Sequence, residues 1–413
     1  MKPQATKPAA MVRILALLLL GGMARPADQP ELFSDIGSIE TGLSEITGLP
    51  FSRPVPYGVF TKEQLRAFLE KRIRKALKPE DLREEELILR MLGFIPPDFD
   101  LRKNTVDLLT EQAAAFYDYN EKKLFILKGA SGADDRAALV HELAHALADQ
   151  NFHLEKYIRD GARSDDGSTA RLAVMEGQAT WLMAAYLAKQ NGGAAEVSPA
   201  ALNAVSSAIQ NSAGDYPVFN KAPLYIRESL VFPYAEGMRF QDAVFRKLSR
   251  ESFAEVFKRA PVSTQQILHP ELYLERRAPV IPPLPRVDNQ RQFRKLADGN
   301  LGEFDYRVML TQYGDAEEAK QAAAHIAGSA YALLEHKREK YPVLIFASNW
   351  DSPESAHKYF ELYRHVAQGK WKKCEIESES ATELTGSGDT GHFRIWIDGA
   401  TVNQIEGWRS SLK

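Results

Sequence analysis

One cysteine, Cys374, is all that the 413 residues carry, which excludes an internal disulfide and leaves a residue that by default is packed and inert. Charge of one sign is missing as well. Against 55 acidic residues stand 52 basic ones, a net of −3, and no long basic stripe occurs, so no nucleic-acid partner is expected. Internal repeats and low-complexity tracts are absent. Near the N terminus the apolar run of residues 14–20 falls well short of the about 20 residues that a membrane-spanning helix needs. What remains is ordinary for a globular protein, 44% hydrophobic and 26% charged, with length for two or three domains and a sizeable core.

That short run has its own meaning. Lys2, Lys7 and Arg13 precede or border it, and Gly22-Met23-Ala24 offers a small-x-small cleavage site. Residues 1–24 are therefore expected to be a signal peptide, an uncleaved signal anchor being the alternative. The mature chain is expected to be secreted or periplasmic, with no stable membrane insertion after cleavage. No cysteine follows the run, so a bacterial lipid anchor is excluded.

The chemistry-bearing stretch is Val140-His141-Glu142-Leu143-Ala144-His145-Ala146-Leu147-Ala148-Asp149. On a helix of 3.6 residues per turn, His141 and His145 lie on one face and both imidazoles reach a single cation. Glu142 sits about 100° round the helix, able to address metal-activated water without being a ligand. Val140, Leu143 and Leu147 form the opposite, core-facing side. A catalytic zinc takes three protein ligands, and Glu176 is the candidate for the third. It lies in Leu172-Ala173-Val174-Met175-Glu176-Gly177-Gln178-Ala179-Thr180, on a second helix expected to start near Asp166-Gly167-Ser168 and run towards Lys189. Gly177 and Ala179 are small enough to let two helices approach closely.

The pair HELAH and MEGQA resembles the gluzincin metallopeptidases, in which two His and a downstream Glu hold zinc, and HELAHALAD is similar to the active-site helix of thermolysin. The resemblance covers roughly 40 residues. It implies a zinc-dependent peptidase with His141, His145 and Glu176 as ligands and Glu142 as general base. The family places an Asp four residues after the ligand Glu, to orient one His; Thr180 stands there instead, and Asp149, one turn beyond His145, is the candidate substitute. Gluzincins also use a downstream Tyr or His as oxyanion donor, which makes Tyr234 and His269 the catalytic candidates here, His269 as an exposed loop imidazole within Ser263-Thr264-Gln265-Gln266-Ile267-Leu268-His269-Pro270. The segment 115–127 reads as two short strands around a polar turn, where zinc peptidases commonly put the sheet edge that pairs with an extended substrate.

The expected fold class is α+β: a mostly helical zincin-like catalytic domain with a small edge-exposed sheet, plus a smaller C-terminal α+β domain. Residues 28–110 read as a helical N-terminal region, with a capping pattern at Thr61 and Gln64 and a helix start at Pro79. Residues 111–277 form the catalytic domain, and residues 230–238 are read as preceding a further helix. His153 falls beyond the end of the first metal helix. Asp160, Asp165 and Asp166 read as helix-capping acids, a calcium site being the rarer alternative. Pro279, Pro282, Pro283 and Pro285 make 278–286 a stiff linker. Beyond it, 287–413 is an accessory α+β domain, with strand-like runs at 331–334, 343–348 and 392–397 and a helix start at Ser352-Pro353. The substrate is expected to be a peptide or protein. The rival readings are a zinc hydrolase of a non-peptide or cell-wall amide and an inactive metallopeptidase-like scaffold used for binding; retention of Glu142 argues against the latter.

Overall fold

The computed structural model describes residues 19–21, 34–128, 133–161, 164–193, 196–211 and 216–409. The chain is α+β. Its N-terminal part holds β1 (Leu19–Gly21), α1 (Ile36–Thr47), β2 (Tyr57–Phe60), α2 (Lys62–Ala76), α3 (Pro79–Met91) and α4 (Leu101–Gln112). Local signals start these helices. Thr61 caps α2 with a reciprocal Gln64 contact, and Pro79 opens α3 with its ring φ already helical. Leu65, Leu69 and Ile73 recur at fourfold spacing on α2 and are buried.

The expected hairpin follows as β3 (Ala115–Asp118) and β4 (Lys123–Leu127), paired antiparallel with Tyr117 opposite Leu124. With β1 and β2 they form a sheet of order β1-β3-β4-β2. β2 runs parallel to β4, and β1 pairs antiparallel with the far edge of β3, Leu19 opposite Tyr117 and Gly21 opposite Ala115. Apart from those three residues, the expected signal peptide at 1–24 lies outside the described residues. Within the sheet order, the edge read as a substrate platform carries Leu19–Gly21 of this same chain.

The site is built on the next helices: α5 (Ala133–Phe152), α6 (Leu154–Gly161), α7 (Asp165–Gln190), α8 (Pro199–Asn211), α9 (Leu224–Leu248) and the short α10 (Thr264–Leu268). Two expectations change here. Residues 230–238 lie inside α9, with Pro233 in its interior. An interior proline costs a helix about 3 kcal/mol, but Phe232, Pro233, Ala235, Gly237 and Met238 are all buried, and tertiary packing outweighs local propensity. Residues 264–268 are helical instead of a loop, because the Ser263 side chain accepts the Gln266 N–H and caps the turn.

The C-terminal part is β5 (Phe293–Gly299), α11 (Glu303–Tyr313), α12 (Ala316–Ala323), β6 (Ile326–His336), β7 (Pro342–Trp350), α13 (Pro353–Lys370), β8 (Glu375–Glu379), β9 (Glu383–Gly388), β10 (Gly391–Asp398) and β11 (Thr401–Trp408). The strands make one antiparallel sheet of order β5-β6-β7-β11-β10-β9-β8, and the three strand-like runs of the sequence fall within β6, β7 and β10. The proline-rich connector lies along this sheet. A bulge in β6 between Ile326 and Gly328 leaves the Ala327 carbonyl for the Val280 N–H, at 2.7 Å, and Leu284 and Val287 pack on the outer sheet face.

Two large cores result, and their division does not follow the connector. One surrounds α5, α7 and α9 together with α1. The other joins α2, α3 and α4 to the inner face of the C-terminal sheet and to α11 and α13. At that junction the Lys370 ammonium is buried, donating to the Met91 carbonyl, the Tyr363 hydroxyl and both oxygens of Glu406.

Candidate metal centre

Helix α5 carries His141, Glu142 and His145 at the positions the sequence pattern requires, and α7 presents Glu176 across it. The α7 start is set by Ser164, whose hydroxyl accepts the Gly167 N–H, and by two acids in the first turn, Asp165 and Asp166. Its depth is set by glycine. A Cβ on Gly177 would stand 2.0 Å from the Gly237 carbonyl carbon, and one on Gly237 would stand 2.0 Å from the Ala173 oxygen, so α7 and α9 touch through backbone. Gly177 was read as easing the approach of the two helices that carry the candidate ligands; its close contact is with α9 instead, on the residue next to Glu176.

The three donor atoms converge. His141 Nε2 lies 3.1 Å from Glu176 Oε2, His145 Nε2 lies 3.4 Å from that same oxygen, and the two Nε2 atoms are 3.0 Å apart. Donors held about 2.0–2.1 Å from a tetrahedral ion stand roughly 3.4 Å from one another, so the spacing suits a cation between them. All three residues are at least 97% buried. Burial drives the His145 imidazole below its ordinary pKa, against the opposing pull of Glu176, which keeps the ring in the neutral form that ligates. This buried group could hold a metal ion, and it is the one such group of three or more among the described residues.

Glu142 is fully buried and accepts the Tyr117 backbone N–H through Oε2 at 2.7 Å. Tyr234, on α9, is brought to the group: its ring stacks on His141 with centroids 5.7 Å apart and planes 21° from parallel. His269 is engaged elsewhere. It stands between two short helical turns, its Nε2 3.0 Å from Glu303 Oε1 and its Nδ1 3.8 Å from Glu271, and the bond to Glu303 raises its pKa.

Asp149 does not substitute for the family's His-orienting acid. Its carboxylate accepts the Tyr117 hydroxyl, the Lys122 ammonium and the Leu154 N–H, which commits its oxygens to the β3–β4 hairpin and the start of α6. Thr180 turns its hydroxyl back to the Glu176 carbonyl at 2.7 Å. His153 follows α5 with φ +57° and takes no part in the ligand group. Asp165 and Asp166, read as helix-capping acids, leave the cap to Ser164 and clamp other elements instead: Asp166 accepts both the N–H and the hydroxyl of Thr264, and Asp165 accepts the Tyr331 hydroxyl. The sequence reading missed Tyr117. The one signal available for it was the spacing of Glu142 and Asp149, seven residues apart and so on one face of α5.

The arrangement is a buried His-His-Glu group, carried by α5 and α7, that could hold a metal ion, with a further carboxylate on the same helix as the two imidazoles. Comparison with known families adds one finding: residues 290–411, spanning β5 to β11, match the family described as a domain of unknown function, DUF8575. No curated protein and no solved structure matches the chain.

Proposed function

We propose that this protein is an exported zinc-dependent peptidase of gluzincin type. The observation that carries the reading is the convergence of His141 Nε2, His145 Nε2 and Glu176 Oε2 at 3.0–3.4 Å with the buried Glu142 carboxylate on the same helix. Two imidazoles and one carboxylate leave a fourth tetrahedral position open, which suits zinc in its catalytic form. When bound, zinc supplies Lewis acidity that acidifies water and polarises a carbonyl. Glu142 accepts the proton of the attacking water and returns it to the leaving amine. Tyr234, against His141, is the better-placed candidate to donate to the developing oxyanion. An extended peptide takes the edge of β3 that Leu19–Gly21 occupies here, once cleavage after Ala24 removes the leader. Among the described residues no helix is long and apolar enough to cross a membrane.

The test is metal analysis of the mature chain followed by profiling against peptide and peptidoglycan libraries, with Glu142→Gln as the control. About one zinc per chain and peptide turnover are expected. The Gln variant should keep its zinc and lose roughly 10²–10⁴-fold in turnover. An unchanged rate in the zinc-loaded variant assigns the base to another residue. Turnover of peptidoglycan alone moves the substrate to cell-wall amides.

A further inference from the structure

Tyr117 of β3 makes two hydrogen bonds to the metal helix. The Tyr117 N–H donates to Glu142 Oε2 at 2.7 Å, and the hydroxyl of the same residue donates to Asp149 Oδ2 at 2.9 Å. Glu142 and Asp149 are two turns apart on one face of α5, about 10 Å along the axis. Tyr117 therefore lies along the helix as a strut, its main chain at one end and its phenol at the other. β4 does not compete for the N–H, which points to the side where Leu19 of β1 lies opposite Tyr117. Leu124, opposite Tyr117, gives its own N–H to the Pro56 carbonyl, so this is a non-hydrogen-bonded pair and the Tyr117 N–H faces away from β4.

The far end of the strut is fixed. Asp149 is 1% exposed, and its other oxygen takes the Lys122 ammonium at 2.8 Å and the Leu154 N–H at 3.0 Å. Lys122 lies in the hairpin turn, so one carboxylate fastens both the strand and its turn to α5. Burial, reinforced by Asp149, pushes the Tyr117 hydroxyl far above its ordinary pKa and keeps it a donor.

We propose that Tyr117 and Asp149 are positioning residues for Glu142: the Asp149-anchored phenol holds β3 in the one placement from which its backbone N–H fixes the rotation of the Glu142 carboxylate. The contact stands on the geometry alone; its effect on catalysis rests on the peptidase reading. A general base must sit within hydrogen-bond reach of its proton, and misplacement by about 1 Å costs on the order of 10²-fold, so a strut that removes rotation acts on kcat.

Tyr117→Phe removes only the phenol oxygen, and Asp149→Ala removes the anchor. In the metal-free full-length chain, hydrogen exchange of the residue-117 amide should rise at least about tenfold in both. In the zinc-loaded chain kcat should fall roughly tenfold with KM within about twofold. Asp149→Asn, which keeps a carbonyl acceptor for the phenol, should restore part of both. In a Glu142→Gln background neither change should lower the residual turnover further, since both act through Glu142. An unchanged amide-117 exchange in Tyr117→Phe and Asp149→Ala overturns the proposal, as do losses that multiply with Glu142→Gln. If Asp149→Ala does not fold, Tyr117→Phe and Asp149→Asn carry the same two arms. An exchange response in a chain that hydrolyses nothing upholds the strut and sinks the peptidase reading.

Discussion

The contact between α7 and α9 gives the sharpest handle on the metal centre, because it is made by two backbones with no side chain to yield. In Gly177→Ala the new methyl would stand 2.0 Å from the Gly237 carbonyl carbon, 2.3 Å from its oxygen and 2.4 Å from its Cα. Ordinary contact begins near 3.4 Å, so the helices must part by roughly 1.4 Å at this crossing. Overpacking of this kind costs about 1–3 kcal/mol. The displacement falls on the residue beside Glu176, whose Oε2 stands 3.1 Å and 3.4 Å from the imidazole nitrogens. Metal–ligand distances tolerate about 0.2 Å, and disturbing a ligand's support weakens affinity about 10–100-fold. A hundredfold loss, at a zinc concentration that saturates the wild type, removes up to about 2.7 kcal/mol of zinc-linked stabilisation. Melting curves with chelator and with zinc separate the two effects: the chelated variant melts lower, and its zinc-induced rise shrinks. A variant that matches wild type in both would refute the claim that this contact seats Glu176.

Two further outcomes follow from buried charge. Asp166 in the first turn of α7 and Asp305 on α11 are both buried; burial first, then neighbouring acids, raise them to about 6 and about 7. A raised carboxyl stabilises the fold in full below its unfolded value near 4 and loses that contribution as pH climbs through about 6 to 7, so denaturant midpoints should fall from pH 5 to pH 8 and Asp305→Asn should flatten the slope. Lys370→Met leaves Glu406 buried without its cation and should cost about 3–5 kcal/mol in equilibrium unfolding; a change below 1 kcal/mol would mean that water reaches the pair.

The convergence of the His-Glu-x-x-His helix was legible because its grammar is local. His141, Glu142 and His145 need only the period of one helix, and Gly177 announced a close helix crossing, though its partner is Gly237 of α9 and not the helix of the two imidazoles. Thr61 and Pro79 wrote their helix starts into the sequence for the same reason. What the sequence left out depends on which surfaces meet. Pro233 looked like punctuation, yet it lies within α9, where burial of the flanking face against α7 overrides its penalty. His269 looked like an exposed loop imidazole because Glu303, its partner, is 34 residues away in another element. Asp149 looked like a companion of His145, one turn away on α5, and instead serves the hairpin, whose placement no periodicity encodes. The proline-rich connector read as a spacer, yet a bulge in β6 gives it a carbonyl to pair with.

That last difference decides how the C-terminal part relates to the metal centre. Asn300 accepts from the Ser164 hydroxyl and the Asp165 N–H, and Tyr331 donates to Asp165, so the N terminus of the helix that carries Glu176 is held by residues beyond the connector. A Cβ on Gly302 would stand 1.8 Å from Asp166 Oδ1, which shows how closely α11 is set against that helix end. On the other side the inner sheet face shares one core with α2, α3 and α4. A chain ending at residue 277 would strip the cover from that core and remove the partners of Ser164 and Asp165 together. Exposed apolar surface on this scale forfeits about 25 cal/mol per Å², against a typical total stability of only 5–15 kcal/mol. The truncated chain should therefore melt without a cooperative transition and fail to retain stoichiometric zinc, as circular dichroism and elemental analysis would report. A 277-residue fragment that unfolds cooperatively with full zinc would overturn this and make the C-terminal domain an appendage.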